Sequence, residues 1–213
     1  MARSVRSSPS IASFVSEDTM QLCVYVVARD YGFAPNPFHG ICSLATCKPV
    51  LRENAQVGDW IVGIGSKENG SSGRIIFAMN VDEKITFNQY WSDQRFHNKR
   101  PYLPGSRMMR YGDNIYHQSS SGKWIQEDSH HSLEGGNLNY ENKDRDTSSN
   151  YVVLGREFYY FGRNCPAIPA SLSSLDWPHP GHKCDFPTKT RDGLIAFLRT
   201  NYIPGVHGLP TDW

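Results

Sequence analysis

Val57-Gly58-Asp59-Trp60-Ile61-Val62-Gly63-Ile64-Gly65-Ser66, followed after a Gly/Ser-rich turn by Arg74-Ile75-Ile76-Phe77-Ala78-Met79-Asn80-Val81, decides how this chain folds. Asp59 to Gly65 predicts a strand whose glycines let another backbone or a ligand come close. Arg74 to Val81 predicts the strongest strand in the sequence, with Ile85, Thr86 and Phe87 continuing it beyond an acidic kink. Upstream, Leu22-Cys23-Val24-Tyr25-Val26-Val27-Ala28 is an almost continuous apolar run of strand length, which belongs inside a sheet. Downstream, Tyr151 to Leu154 and Glu157 to Gly162 predict two strands joined through Gly155. Helices enter as connectors: one or two turns over 48–56, a short helix over 88–96, and a C-terminal helix capped by Thr190. That last helix carries Leu194, Phe197, Leu198 and Tyr202 on one face and is stopped by Pro204 and Gly205. The regular alternation of a doubly wound parallel sheet is missing. The expected class is α+β, a small, strongly curved β-sheet or β-barrel decorated with short helices and the C-terminal helix.

The chain has 213 residues, 38% of them hydrophobic, enough for one sizeable core and, by expectation, one domain over 21–213. Residues 1–20 hold six serines and few acids and predict a disordered leader. A transit peptide fits the same composition but is the less simple account. From 98 to 150 the sequence is polar and rich in Gly, Ser, Asn and Asp, and predicts a long irregular insertion, most flexible over 137–150, that acts as a lid. The net charge of +1 excludes a protein that coats nucleic acid by uniform basicity. A local basic cluster, Lys99-Arg100 with Arg107 and Arg110, is interleaved with Tyr102 and Tyr111, which suits phosphates with stacked bases and equally suits a solvated loop. Five cysteines spread through a chain of this size do not look like a disulfide framework, so a reducing cytoplasm is expected. No apolar run approaches a membrane span.

The chemistry concentrates first in Gly32-Phe33-Ala34-Pro35-Asn36-Pro37-Phe38-His39-Gly40. Prolines on either side of Asn36 stiffen the backbone and the flanking glycines permit turns, so the loop presents Phe38 and His39; the competing reading plugs Phe38 into the core. With a base against this loop, Phe38 or Trp60 stacks on it, His39 transfers a proton, and Lys48 and Ser66 suit a phosphate. A second constellation comprises Tyr90, Asp93 and Lys99 with Asp113, Asn114, Tyr116 and Trp124, which supply the aromatic wall and oriented hydrogen bonds that a polar heteroaromatic ligand requires. Turn chemistry and core aromatics explain the same residues. His179-x-x-His182-x-Cys184, with Cys165 and Asp185, has metal-ligand types but no paired C-x-x-C, and adjacent His130 and His131 rarely face one point, so no metal is expected. Gly63-Ile64-Gly65 leads into a turn and not a helix, which removes a dinucleotide site, and P-loop, G-x-S-x-G and H-E-x-x-H motifs do not occur.

Four strings together resemble the second type of the nucleotide-modification-associated domains: Phe33 to Gly40, Leu44-Ala45-Thr46-Cys47-Lys48-Pro49, Val57 to Ser66, and Gly112-Asp113-Asn114-Ile115-Tyr116. The resemblance runs from about Val24 to Gly162 and implies a bacterial or phage context of DNA base hypermodification, or a related conflict system. More weakly, the hairpin of 57–62 and 74–81 resembles the centre of PUA-like barrels of the ASCH and EVE types, which implies a cleft for a nucleobase or an RNA segment beside it. The expected function is therefore a protein that binds a nucleotide or a modified base, one base at a time, in a cleft. In the enzyme version it transfers a group to or from that base, with His39 or Asp113 as acid/base. In the other version it is a reader without turnover, or a protein-interaction module. The sequence specifies no cofactor.

Overall fold

β1 (Leu22–Val27) forms a strand because almost every side chain in it is apolar, and the fold buries it on both faces. The computed structural model describes residues 20–213, so nearly all of the expected leader over 1–20 lies outside the described residues. Beside β1 runs β3 (Trp60–Gly65), parallel, with Leu22 opposite Trp60 and Val27 opposite Gly65. β4 (Ile75–Asn80) returns antiparallel to β3, so the predicted hairpin is present. Gly63 is required here: a β-carbon would stand 2.3 Å from the Phe77 ring and 2.6 Å from Val27. At Gly65 a β-carbon would stand 2.0 Å from the Ser71 carbonyl, so these glycines admit the chain itself.

The main sheet is completed by β9 (Phe158–Tyr160), β10 (His182–Lys183) and β11 (Gly205–Val206), in the order β10-β1-β3-β4-β9-β11. The α+β class is as expected, but the sheet is open and not strongly curled, and no barrel closes among the described residues. The sheet ends at the two-residue strands β10 and β11, which pair only with β1 and β9 and not with each other, and β1 pairs with β3 in parallel. Residues 28–59 must cross over between them, and they build β2 (Cys42–Leu44) and α1 (Pro49–Asn54) instead of the next turn of a barrel. β2 joins a second sheet, ordered β2-β8-β5, with β8 (Tyr151–Gly155) and β5 (Glu83–Thr86). The residues expected to extend β4 therefore belong elsewhere: Ile85 and Thr86 lie in β5, and Phe87 opens α2 (Phe87–Ser92) behind a reciprocal Thr86/Gln89 cap.

The segment over 98–150 is not an irregular insertion. It holds α3 (Arg107–Arg110), the hairpin of β6 (Tyr116–Gln118) with β7 (Trp124–Gln126), and α4 (Tyr140–Asp146). Ile115 and Tyr116 pack with Phe33, Phe87, Tyr90 and Phe96 in a second core, separate from the main-sheet core of β1, β3, β4 and β9. Asp146 and Ser149, in the stretch that reads as most flexible, are buried. α5 (Thr188–Asn201) begins two residues before the expected Thr190 cap, after Pro187, and buries Leu194 and Leu198.

Cysteine reading is also corrected. Cys23 and Cys184 form a disulfide across 161 residues, while Cys42, Cys47 and Cys165 are free. The antiparallel pairing of Val24 with Lys183 sets the two cysteines opposite one another. No helix among the described residues is long and apolar enough to cross a membrane.

Candidate active site

β1, the turn after it and the start of α1 enclose a cavity of about 730 Å³, with α4, the 129–133 turn and the edge strand β10 completing its walls. Its floor holds Cys47, which with Lys48 is one of three described non-glycine residues at positive φ, 56° and 43° respectively. This left-handed pair swings the chain from β2 into α1, and buried Arg52 fixes the bend by donating from Nε to the Cys47 carbonyl at 2.9 Å. The Arg52 guanidinium also reaches the carbonyls of Asp146 and Tyr151, so one side chain ties the Cys47 turn to the end of α4 and to β8.

Cys47 Sγ lies 4.0 Å from His131 Nε2, and His131 Nδ1 lies 2.7 Å from Asp146 Oδ2. Asp146 is fully buried, and the same oxygen accepts the Tyr116 hydroxyl at 3.0 Å. Its other oxygen accepts the Cys47 backbone N–H at 2.9 Å and Arg145 Nε at 3.1 Å. The His131 carbonyl is anchored by Asn142 at 3.0 Å and Gln126 at 3.2 Å. Thiol, imidazole and carboxylate thus stand in line, each held by neighbouring hydrogen bonds. Burial opposes a charge on His131, but the hydrogen bonds and charges of Asp146 and Cys47 outweigh it and lift the ring to about 9, so it carries a proton at neutral pH. Burial, then the charges of His131 and Arg29, push neighbouring His130 down to about 4, leaving it neutral.

One wall is aromatic. Tyr31 stacks on Tyr111 with centroids 5.2 Å apart, and His130 leans on Tyr31, Phe33 and Tyr111 at 4.8, 5.3 and 5.1 Å. Opposite, Lys48 Nζ sits 4.8 Å over the Tyr25 ring and donates to the Gly181 carbonyl at 3.1 Å.

Of the residues singled out from the sequence, Lys48 lines this cleft and Tyr116 supports it through Asp146. Tyr90, Lys99, Asp113 and Asn114 do come together, but as a fully buried network. Asp113 accepts from Ser43 Oγ at 2.7 Å and Tyr90 OH at 2.8 Å, while Lys99 Nζ donates to Asn36 Oδ1 at 2.8 Å and Ser43 Oγ at 2.9 Å. Burial raises Asp113 to about 6 against the pull of Lys99, and Asn114 holds the Tyr90 and Phe96 carbonyls. Phe38 is buried and stacked on Trp213 at 5.5 Å, as the competing reading had it, while His39 is exposed on a separate shallow groove with Arg156 and Pro204. Trp60 lies inside the core against Tyr159. Ser66 closes its own turn through Ala28 and Asn69, Asp93 caps a turn and pairs with Arg95, and Trp124 packs edge-on against Phe87. His182 lines the cleft while Cys184 is taken by the disulfide, and the described residues hold no group of three or more His, Cys, Asp or Glu placed to bind a metal.

In the sequence Cys47 stands only within a family-like string and His131 only as a poor metal ligand, while Asp146 and Arg52 carry no signal of their own. The available signal was a cysteine inside the family-like string Leu44 to Pro49, with a histidine and an aspartate far along the chain, since such sets are neighbours in space and not in sequence.

Fold and site together define an open, mixed-sheet α+β domain with a Cys–His–Asp line in an aromatic, basic cleft. The chain belongs to the nucleotide modification associated domain 2 family, whose model matches residues 19–213. No curated protein and no solved structure matches it.

Proposed function

We propose that this chain is a thiol-dependent group-transfer enzyme acting on a nucleotide or on a base in nucleic acid, in keeping with its family. Cys47 is the nucleophile, His131 the proton carrier beside it, and Asp146 the group that holds the imidazole. The observation that carries this reading is the Cys47–His131–Asp146 line, 4.0 and 2.7 Å, at the floor of an aromatic-walled cleft. A positioned nucleophile with a base oriented by a third group is the recurring arrangement of covalent catalysis. In the reactive form of the pair, Cys47 thiolate beside His131 imidazolium, the sulfur forms a bond to an electrophilic carbon of the substrate, the bond from that carbon to its leaving group breaks, and His131 gives its proton to the departing group. Water or an acceptor nucleophile then cleaves the carbon–sulfur bond and loses its proton to His131, which restores the starting pair. This reading moves the acid/base role from His39 and Asp113 to His131. A reader without turnover is the second reading. It is favoured by the Tyr31, Phe33 and His130 rings that line the cleft, which offer a base an aromatic surface without calling on the thiol.

Alkylation by iodoacetamide, followed by peptide mass mapping, separates the two. Cys47 should react at pH 7 ahead of buried Cys42 and Cys165, and His131→Asn should slow that reaction by roughly tenfold. An unchanged rate in His131→Asn removes the catalytic reading.

A further inference from the structure

We propose that the cleft selects its substrate by a phosphate group held among Lys48, Arg145 and His182, so that it takes a phosphorylated nucleoside, free or within a strand, and discriminates against the bare base and the nucleoside. The proposal rests on the reading of the cleft as a nucleotide site and specifies what that site grips.

Charge is the first observation. The whole chain is balanced, with 22 basic and 21 acidic residues, yet the cleft is lined by Arg29, Lys48, Arg145 and His182 and by no Asp or Glu among the described residues. The carboxylate of Asp146 is buried and engaged by His131, Tyr116, Arg145 and the Cys47 backbone N–H. A concave, mostly apolar site with one sign of charge concentrates ligands of the opposite sign.

Placement is the second. Lys48 Nζ is held by a neutral carbonyl, that of Gly181 at 3.1 Å, and pairs with no carboxylate among the described residues. His182 adjoins that carbonyl and lines the same wall. Arg145 spends Nε on Asp146, which leaves its two terminal nitrogens without a described partner at the edge of the cleft. Burial lowers Lys48, and burial followed by the charge of Lys48 lowers His182, a tension that an anion between them relieves. Because Lys48 follows Cys47 directly, a phosphate at Lys48 keeps the rest of the molecule within reach of the thiol, with its base on the Tyr31–Phe33–His130 wall.

Calorimetric titration of the full chain with the four 2′-deoxynucleoside 5′-monophosphates, the matching nucleosides and a short single-stranded deoxyoligonucleotide tests this. Phosphate-bearing ligands should bind at least about tenfold tighter than the nucleosides, and Lys48→Met and Arg145→Met should each remove about tenfold of that preference while leaving nucleoside affinity unchanged. Unchanged nucleoside affinity also reports that the variants are folded. Tighter binding of the monophosphate places a free nucleotide in the site, and tighter binding of the oligonucleotide places a phosphodiester there; each supports the proposal if Lys48→Met weakens it. Equal affinity for nucleoside and monophosphate, indifference to both substitutions, or no binding of any phosphate-bearing ligand overturns it. Cys47→Ala, carried through the same titrations, should bind as wild type, so a failure of thiol chemistry and a failure of phosphate selection are read separately.

Discussion

His131 faces Cys47 with one ring nitrogen and Asp146 with the other, and this pair of contacts favours the doubly protonated, charged ring. A histidine that holds its proton more tightly folded than unfolded stabilises the fold in full below its unfolded value of about 6.5. It loses that contribution as the pH rises to about 9, its folded value. Asp146 works in the opposite direction: burial alone would raise it, but His131, Arg145 and the Cys47 N–H hold it below the usual carboxylate range, so its contribution is present above that range and lost on acidification. Urea midpoints should therefore fall between about pH 6.5 and 9 in the wild type, with a visibly smaller fall in His131→Gln. An equal fall in both proteins would place the responsible group elsewhere.

At the scale of elements, α2, the 3-10 turn Gln94–Lys99 and the chain around Asp113 close on a polar knot instead of an apolar one. Ser43 of β2 and Asn36 of the proline loop stand between Lys99 and Asp113, so five segments meet at two opposite buried charges. Such a knot gives each element one permitted position, because moving any of them strands a charge or a hydroxyl without a partner. Asp113→Ala should cost about 3–5 kcal/mol in chemical unfolding, with much of the loss recovered when Lys99→Met is added. Under conditions where the variant remains folded, Cys47 should alkylate at the wild-type rate. A selective loss of Cys47 reactivity would assign Asp113 to the site instead.

For the molecule as a whole, the disulfide is the covalent long-range constraint among the described residues. It spans 161 residues and pins the short edge strand β10, which with the preceding Gly181 brings His182 and the Gly181 carbonyl to the cleft, onto β1, the next strand of the sheet. β10 has only two residues, too few for its ladder alone to hold it. Cys184→Ser should lower stability by roughly 2–4 kcal/mol, and peptide mapping without reductant should recover Cys23 and Cys184 linked. If both thiols alkylate freely in the unreduced protein, β10 is held by other means.

By itself the sequence determined strands β1, β3, β4, β8 and β9 and the family. Apolar runs as continuous as Leu22–Val27 and Ile75–Asn80 have nowhere to go but a buried sheet, and glycines at 63 and 65 mark where chain crosses chain. The strings from Phe33 to Tyr116 carried the family resemblance, which the match over 19–213 bears out. Tertiary structure alone decided which strands pair beyond the β3–β4 hairpin, that the sheet stays open, that Cys23 meets Cys184, and that Cys47, His131 and Asp146 converge. The reason is sequence distance. Local patterning reports which face of a segment avoids water, whereas His131 and Asp146 stand 84 and 99 residues from Cys47 and are brought to it by packing of the second core, in a stretch whose polar composition gives no sign of being buried.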